Sequence, residues 1–289
     1  MMRILGTIFA GLLGLAFGSF LNVCLSRWPE GESIVQPRSH CRNCDHTLAW
    51  WENVPLVSWL VLRGRCRNCR AWIGWRYPLV ELAVGALWAF VGWRLFGSFQ
   101  NPEALPHFGI LPATEAAIFL WLMVAIAVMD AERFWIADAV TLPGIALGLA
   151  FPVFFESVLQ TPLRWQMPFW IQMGERLLAV LTAAGLILLI RWVYWLIRRR
   201  EGMGLGDAKL MALLAAWLGL PGALLAFGLG VVLGAVAALV LLALPNKSPE
   251  AGGWAVQKLP LGTFLCVGGI VSSLWGQPII AAYLRWAGF

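Results

Sequence analysis

The amino-acid sequence predicts an all-α polytopic membrane protein with about eight transmembrane helices and a small module between helices 1 and 2. Three observations support this fold class. Of the 289 residues, 60% are hydrophobic and only 12% are charged, whereas a soluble domain carries about 25% charged residues. The apolar residues form stretches long enough to cross the hydrocarbon core of a bilayer. Four of the six cysteines lie in the only sizeable hydrophilic segment.

Eight apolar stretches have roughly the length of a spanning helix, which needs about 20 residues. We place them at residues 4–24, 79–95, 113–129, 139–159, 177–197, 210–220, 221–244 and 263–284. The sixth stretch is short and runs into the seventh through Gly219-Leu220-Pro221-Gly222. The first is too long for a signal-peptide core and lacks a small-residue cleavage site, so we predict that it is a helix of the protein.

Small residues recur on two of these stretches at helical spacing. We predict that they form faces for close helix packing: Gly11, Gly14 and Gly18 on the first stretch, and Gly230 with Gly234 on the seventh.

The distribution of Lys and Arg predicts the orientation. The loops 25–78, 130–138, 198–209 and 245–262 lie on one side and carry 8, 1, 4 and 2 basic residues, together 15 of the chain's 21. The positive-inside rule places these loops in the cytoplasm and both termini outside. The net charge of +6 follows from this bias and does not require a nucleic-acid partner.

The segment 25–78 contains two Cys-x-x-Cys pairs. Cys41-Arg42-Asn43-Cys44 and Cys66-Arg67-Asn68-Cys69 are separated by 21 residues. Four thiolates in two similar knuckles are typical of a zinc-ribbon-like module with a tetrahedral, structural Zn²⁺. A reducing cytoplasm argues against disulfides, and unpaired structural cysteines are the alternative. A four-Cys site is closed, so its expected role is to fold a segment too short to build its own core.

Two aspartates lie where apolar stretches meet the predicted cytoplasmic side. Asp130 ends the third stretch, and Asp207 follows Gly204-Leu205-Gly206. Acids at the edge of hydrocarbon are costly and mark functional sites. Two that meet can share a proton, which is the chemistry of an aspartic protease. The alternative is that each acid caps a helix at the interface.

Two further charged residues accompany this pair. Asp138 is predicted to cap the fourth stretch and is a secondary candidate. Lys209 either tunes the field near Asp207 or follows the positive-inside bias.

At these residues the chain resembles the type IV prepilin peptidases, bifunctional prepilin leader peptidases and N-methyltransferases of the GxGD class of aspartyl proteases. The resemblance runs nearly end to end and includes the paired Cys-x-x-Cys module. Its other elements are Gly18-Ser19-Phe20-Leu21-Asn22-Val23, Trp51-Glu52-Asn53-Val54-Pro55-Leu56-Val57-Ser58, Arg76-Tyr77-Pro78-Leu79-Val80-Glu81 and Gly202-Met203-Gly204-Leu205-Gly206-Asp207-Ala208-Lys209.

The resemblance implies an activity and its site. The catalytic aspartates of the family correspond to Asp130 and Asp207. The implied substrate is a prepilin or pseudopilin in the bacterial inner membrane, cleaved after Gly at the cytoplasmic face. The implied second activity methylates the new amino terminus with S-adenosylmethionine. Polar candidates for that cofactor are Asn22, Glu52, Arg76 and Glu81.

The implied domain organisation has three parts. Residues 1–24 form the first transmembrane helix, 25–78 the cytoplasmic zinc-binding and methyltransferase-associated module, and 79–289 the transmembrane peptidase domain.

The chain departs from the family pattern at two points. Ala137-Asp138 stands where Pro-Asp is common, and Leu259-Pro260-Leu261-Gly262-Thr263-Phe264 stands where a Pro-Phe-Gly-Pro-like run is usual. Neither departure is expected to touch the aspartate pair.

Two other functions compete with this interpretation. One is an intramembrane GxGD protease with other substrates, as in presenilin-like and preflagellin-type enzymes, which are not expected to carry a zinc module. The other is a non-enzymatic transporter or scaffold. No acid lies near the middle of a predicted span, where a transport site is expected, and this disfavours a transporter.

Overall fold

The computed structural model describes residues 1–99, 109–159, 168–200, 204–243 and 259–288. Within these ranges the α-helical elements are α1 (Met2–Arg27), the short α2 (Val57–Val61), α3 (Arg76–Ser98), α4 (Ile110–Arg133), α5 (Asp138–Leu159), α6 (Phe169–Arg198), α7 (Leu205–Ala243) and α8 (Leu261–Trp286). The chain divides into two compact units, residues 1–125 and 126–289. The predicted all-α membrane fold is confirmed.

In the first unit, α1 packs closely against α3 along the predicted glycine face. A methyl group added at Gly14 would lie 2.8 Å from the Trp88 Cβ, and one added at Gly18 would lie 2.7 Å from the Glu81 Cα. Glycine at these positions lets the two backbones approach, as in other helix pairs within membranes. The remaining face of α1 carries exposed apolar side chains, including Ile8 and Leu12, as expected of a surface that faces lipid.

We expect that replacing Gly18 by leucine destabilises the protein by about 1–3 kcal/mol or more, because the clash is with backbone that cannot move aside. Thermal unfolding in detergent should show a lower Tm. A matched control is Gly185→Leu on α6, where an added Cβ has open space around it. Equal Tm values for the two variants would contradict the packing role of Gly18.

The amino-terminal half of α4 also belongs to the first unit. The Trp88 indole donates to the Ala117 carbonyl at 3.0 Å, and the Trp121 indole donates to the Phe17 carbonyl at 3.1 Å. These bonds tie α4 to α3 and α1 and give each indole N–H a hydrogen-bond acceptor.

In the second unit, α7 contains a break that divides it into two arms. Gly219 has φ 69° and ψ 175°, outside helical geometry, and Pro221 follows in the sequence. A 39-residue helix would be about 58 Å long at 1.5 Å per residue, nearly twice the bilayer core. Arg176 of α6 donates to the carbonyls of Ala216 and Trp217 beside the break. The Trp217 carbonyl has no helical donor four residues later, because Pro221 has no N–H.

The two arms of α7 run antiparallel. Methyl groups added at Gly206 and Gly262 would each lie within 3.3 Å of the same Ile136 Cδ1 atom, so the start of the first arm lies beside the start of α8. Gly230, in the second arm, lies against Leu265 of α8, where an added Cβ would be 3.0 Å from the Cα. In a straight helix Gly206 and Gly230 would be about 36 Å apart, which these contacts exclude.

Six of the described helices are long and apolar enough to cross a membrane, with α7 counted once. Counting its arms separately and adding α5 accounts for the eight predicted spans. The predicted packing of Gly230 and Gly234 is confirmed, since they lie against Leu265 and Phe264.

Several predicted boundaries were too narrow. The fifth stretch was placed at 177–197, but α6 begins at Phe169, since a helix continues through polar residues such as Gln172 that a hydropathy pattern excludes. The third stretch was placed at 113–129, but α4 continues to Arg133. Asp130 therefore lies in the last turn of a helix.

Candidate functional sites

Asp130 is held by the first turn of α8. Its Oδ2 accepts the Thr263 N–H at 2.6 Å and lies 3.2 Å from the Thr263 hydroxyl. A methyl group at Gly262 would lie 2.9 Å from the Asp130 Cγ, so only glycine leaves room there for the acid. The Asp130 residue is 7% exposed.

Asp207 lies in the first turn of α7. Its Oδ2 accepts the N–H of Gly204 at 3.1 Å, across the turn that precedes the helix. This bond gives the Gly204 N–H, at the start of α7, a partner that the helix itself does not supply.

The fold brings the two acids together, although 76 residues separate them in the sequence. Ile136 contacts the glycines next to both acids, Gly206 beside Asp207 and Gly262 beside Asp130. Two neighbouring carboxylates can share one proton.

One of the two departures contacts the acid pair, which corrects our expectation that neither would touch it. Thr263 bonds directly to Asp130. Asp138 forms an ion pair with Lys209, in which Oδ1 of the carboxylate lies 2.5 Å from Nζ. Lys209 follows Asp207 by two residues. The expectation failed because residues 130 and 263 are far apart in the sequence, and no local pattern indicates that they meet.

The two Cys-x-x-Cys segments form knuckles with the same backbone. In the first, Cys41 donates its N–H to the His46 carbonyl and accepts the N–H of Asp45. In the second, the N–H of Cys66 bonds to the Ala71 carbonyl, and the Cys66 carbonyl accepts the N–H of Arg70. In each knuckle the residue after the second cysteine, Asp45 or Arg70, has positive φ, 54° and 61° respectively.

The four sulfur atoms form one cluster and are free thiols rather than disulfides. All four lie within 4.8 Å of one another, with Cys41–Cys69 at 3.8 Å and Cys44–Cys66 at 3.9 Å. A tetrahedral site with Zn–S bonds of about 2.3 Å places its sulfurs about 3.8 Å apart. The cluster therefore has the donor set and the spacing to hold a metal ion.

Each knuckle also contributes an asparagine to the sulfur of the other. Asn43 donates to the Cys69 Sγ at 3.5 Å, and Asn68 donates to the Cys44 Sγ at 3.6 Å. Hydrogen bonds to sulfur stabilise thiolates and orient ligands. A backbone hydrogen bond from Ala71 lowers the pKa of Cys69 to about 6, whereas burial raises the pKa of Cys41 to about 11.

A cavity of about 290 Å³ lies between this module and the ends of α1 and α3. Three of the four predicted cofactor residues line it, namely Asn22, Glu52 and Glu81. The volume is close to the lower limit for ligand pockets, about 300 Å³. The fourth candidate, Arg76, is not among the lining residues, and its guanidinium lies 4.7 Å from the centre of the Tyr77 ring.

The acids of the cavity are fixed by backbone donors. Glu52 accepts the Ala49 N–H at 2.8 Å through Oε2, while its buried Oε1 has no hydrogen-bond partner among the described residues. Glu81 accepts the Leu56 N–H at 2.8 Å. Asn22 donates to the Tyr77 carbonyl at 2.9 Å, and its buried Oδ1 has no partner in the part of the chain that the structure describes.

These two unpartnered acceptors point to a bound donor, since buried polar atoms are normally hydrogen-bonded. The sequence reasoning missed Ser19 and Tyr77, which also line the cavity. Both lie within the runs that carry the family resemblance.

The fold and the sites together define a multi-pass membrane protein with a paired-carboxylate site and a four-cysteine module. In comparisons with known proteins, residues 12–95 match the family described as Bacterial Peptidase A24 N-terminal domain, and residues 117–239 match the Type IV leader peptidase family.

Two curated relatives, both named prepilin leader peptidase/N-methyltransferase, are similar over nearly the whole chain. The protein of Stutzerimonas stutzeri is 33% identical over 300 residues, covering 96% of this chain and 93% of the relative. That of Pseudomonas aeruginosa is 33% identical, with the same shares covered. A third relative of that name, from Myxococcus xanthus, is 37% identical over 249 residues, covering 84% of this chain and 65% of the relative.

The chain therefore belongs to the type IV leader peptidase family and is a multi-pass protein of the bacterial inner membrane. The comparison with solved structures found no match.

Proposed function

We propose that this protein cleaves the leader peptide of type IV prepilins or pseudopilins and then methylates the new amino terminus with S-adenosylmethionine. The proposal is carried by the proximity of Asp130, which is bonded to the first turn of α8, and Asp207 in the first turn of α7. Family membership and the names of the relatives support the substrate class. The Lys and Arg bias of the loops supports a cytoplasmic placement of the site.

The acid pair supplies general acid–base catalysis of peptide hydrolysis. One ionised aspartate takes a proton from water while the water oxygen bonds to the scissile carbonyl carbon. The protonated aspartate gives its proton to the carbonyl oxygen. When the C–N bond breaks, the leaving nitrogen takes the proton that came from water, and the diol returns a proton to the second acid.

The four cysteines Cys41, Cys44, Cys66 and Cys69 would hold a structural zinc ion. Zinc would supply the cross-link between the two knuckles and fold the cytoplasmic module. The reciprocal bonds from Asn43 and Asn68 would then help to fix the orientation of the ligands.

The cavity beside the module is the proposed methyl-transfer site. Its carboxylates, Glu52 and Glu81, and the Asn22 amide oxygen are acceptors suited to a positively charged or amine-bearing ligand. S-adenosylmethionine carries a sulfonium and an ammonium group, and the methyl acceptor is an amine. The unpartnered Oε1 of Glu52 is the acceptor best placed for such a donor.

We expect Glu52→Gln to reduce the methylation rate about tenfold or more while leaving cleavage unchanged, because it removes a buried charge from the cavity and not from the acid pair. Product masses with and without S-adenosylmethionine separate the two activities. Glu30→Gln is the matched control, since Glu30 is exposed and does not line the cavity. Full methylation by the Glu52 variant would exclude this residue from the site.

A further inference from the structure

Among the described residues, Asp130 has more hydrogen-bond contacts than Asp207. Asp130 accepts the Thr263 N–H at 2.6 Å and lies 3.2 Å from the Thr263 hydroxyl. Asp207 accepts the N–H of Gly204 at 3.1 Å. Hydrogen bonds donated to a carboxylate favour its charged form, so the surroundings favour the charge on Asp130 over a charge on Asp207.

Thr263 makes a second contact that fixes the position of Asp130. Its hydroxyl lies 3.0 Å from the carbonyl oxygen of Ala127, in the turn of α4 that precedes Asp130. One threonine therefore bonds both to the backbone of the helix that carries the acid and to the acid itself. The hydroxyl proton is shared between these two acceptors, whereas the N–H at 2.6 Å serves the carboxylate alone.

Both contacts with Asp130 come from Thr263, the residue at which the chain departs from the usual Pro-Phe-Gly-Pro-like run. A proline at position 263 has no N–H and no hydroxyl, so it would supply neither of the Thr263 contacts. Threonine supplies both, and Gly262 leaves room for the carboxylate.

We infer that Thr263 is a positioning residue that holds Asp130 as the charged, water-activating member of the pair and leaves the shared proton on Asp207. The inference rests on the proposed peptidase function. In the cleavage step, Asp130 accepts the proton of water as the water oxygen bonds to the carbonyl carbon. Asp207 donates its proton to the carbonyl oxygen.

The test is steady-state cleavage of a prepilin-like substrate by the full-length protein in one membrane mimic. Thr263→Val keeps the shape and the N–H but removes the hydroxyl, and Thr263→Ser restores the hydroxyl. We expect the Val variant to lose about tenfold in kcat with KM within about twofold of the wild-type value. The Ser variant should recover kcat to within about threefold of the wild type.

Thr182→Val on α6 is the control, because it removes a threonine hydroxyl that bonds within its own helix, to the Leu178 carbonyl, away from the acid pair. It should leave kcat unchanged, and all variants should keep the wild-type Tm. An unchanged kcat in Thr263→Val, a loss expressed in KM, or a Ser variant as slow as the Val variant would overturn the inference. A wild-type protein that does not cleave overturns the proposed function, and the inference falls with it.

Discussion

Replacement of Asp130 or Asp207 by asparagine is expected to reduce leader cleavage about a thousandfold or more, with the protein still folded. General acid and base groups contribute about 10²–10⁴ each, and asparagine can neither take the proton of water nor donate one to the carbonyl. The change is nearly isosteric, so the contact between Thr263 and position 130 should survive. Cleavage by gel shift and folding by Tm measure the two effects separately.

Asp138→Asn is the matched control for these variants. Asp138 is a further acid of the segment that follows Asp130, but its side chain is 58% exposed and pairs with Lys209. Exposed ion pairs contribute little, about 0–1 kcal/mol, so this variant should cleave within a few-fold of the wild-type rate. An active Asp130→Asn protein, or an Asp138→Asn protein as inactive as Asp207→Asn, would move the catalytic assignment to other residues.

Replacement of Cys44 by serine is expected to prevent zinc binding and to reduce the methylation rate at least a hundredfold. A structural zinc site of this type contributes roughly 10 kcal/mol or more to folding of its module, and Cys44 supplies one of four ligands. The cavity is lined by residues of both knuckles, including Cys41 and Cys66, so it should not survive their separation. Elemental analysis for zinc, limited proteolysis of residues 25–78 and the methylation rate check this.

Cys24→Ala serves as the control for zinc binding. Cys24 is a buried cysteine of α1 outside the four-sulfur cluster, so this variant should keep one zinc ion per chain. Full methylation after complete removal of zinc, or zinc retained at the wild-type ratio in Cys44→Ser, would contradict the structural role of the metal.

The sequence predicts those features of this protein that depend on residues close together in the chain. Two Cys-x-x-Cys pairs predict a metal cluster because each knuckle is a local turn, and the structure brings all four sulfurs together. The helices follow from apolar stretches of bilayer length. The break at Gly219 could be recognised from Gly219-Leu220-Pro221-Gly222, because proline removes a helical N–H donor and clashes with the preceding turn.

The contacts that sequence could not predict join residues far apart in the chain. The bonds from Thr263 to Asp130 and from Lys209 to Asp138 depend on which helix ends meet, and the pattern around each residue contains no information on its partner. The reciprocal bonds from Asn43 and Asn68 are similar. The repeated Cys-Arg-Asn-Cys pattern predicted two alike knuckles, but only the structure shows that each asparagine serves the opposite one.

The most direct test of the central claim is the mass of the product that the purified protein releases from a prepilin-like substrate, with and without S-adenosylmethionine. We predict loss of the leader in both reactions, one added methyl group only with S-adenosylmethionine, and an intact substrate with Asp207→Asn. Cleavage without methylation would keep the acid pair and remove the transferase activity. An intact substrate after incubation with folded wild-type protein would contradict the peptidase function itself.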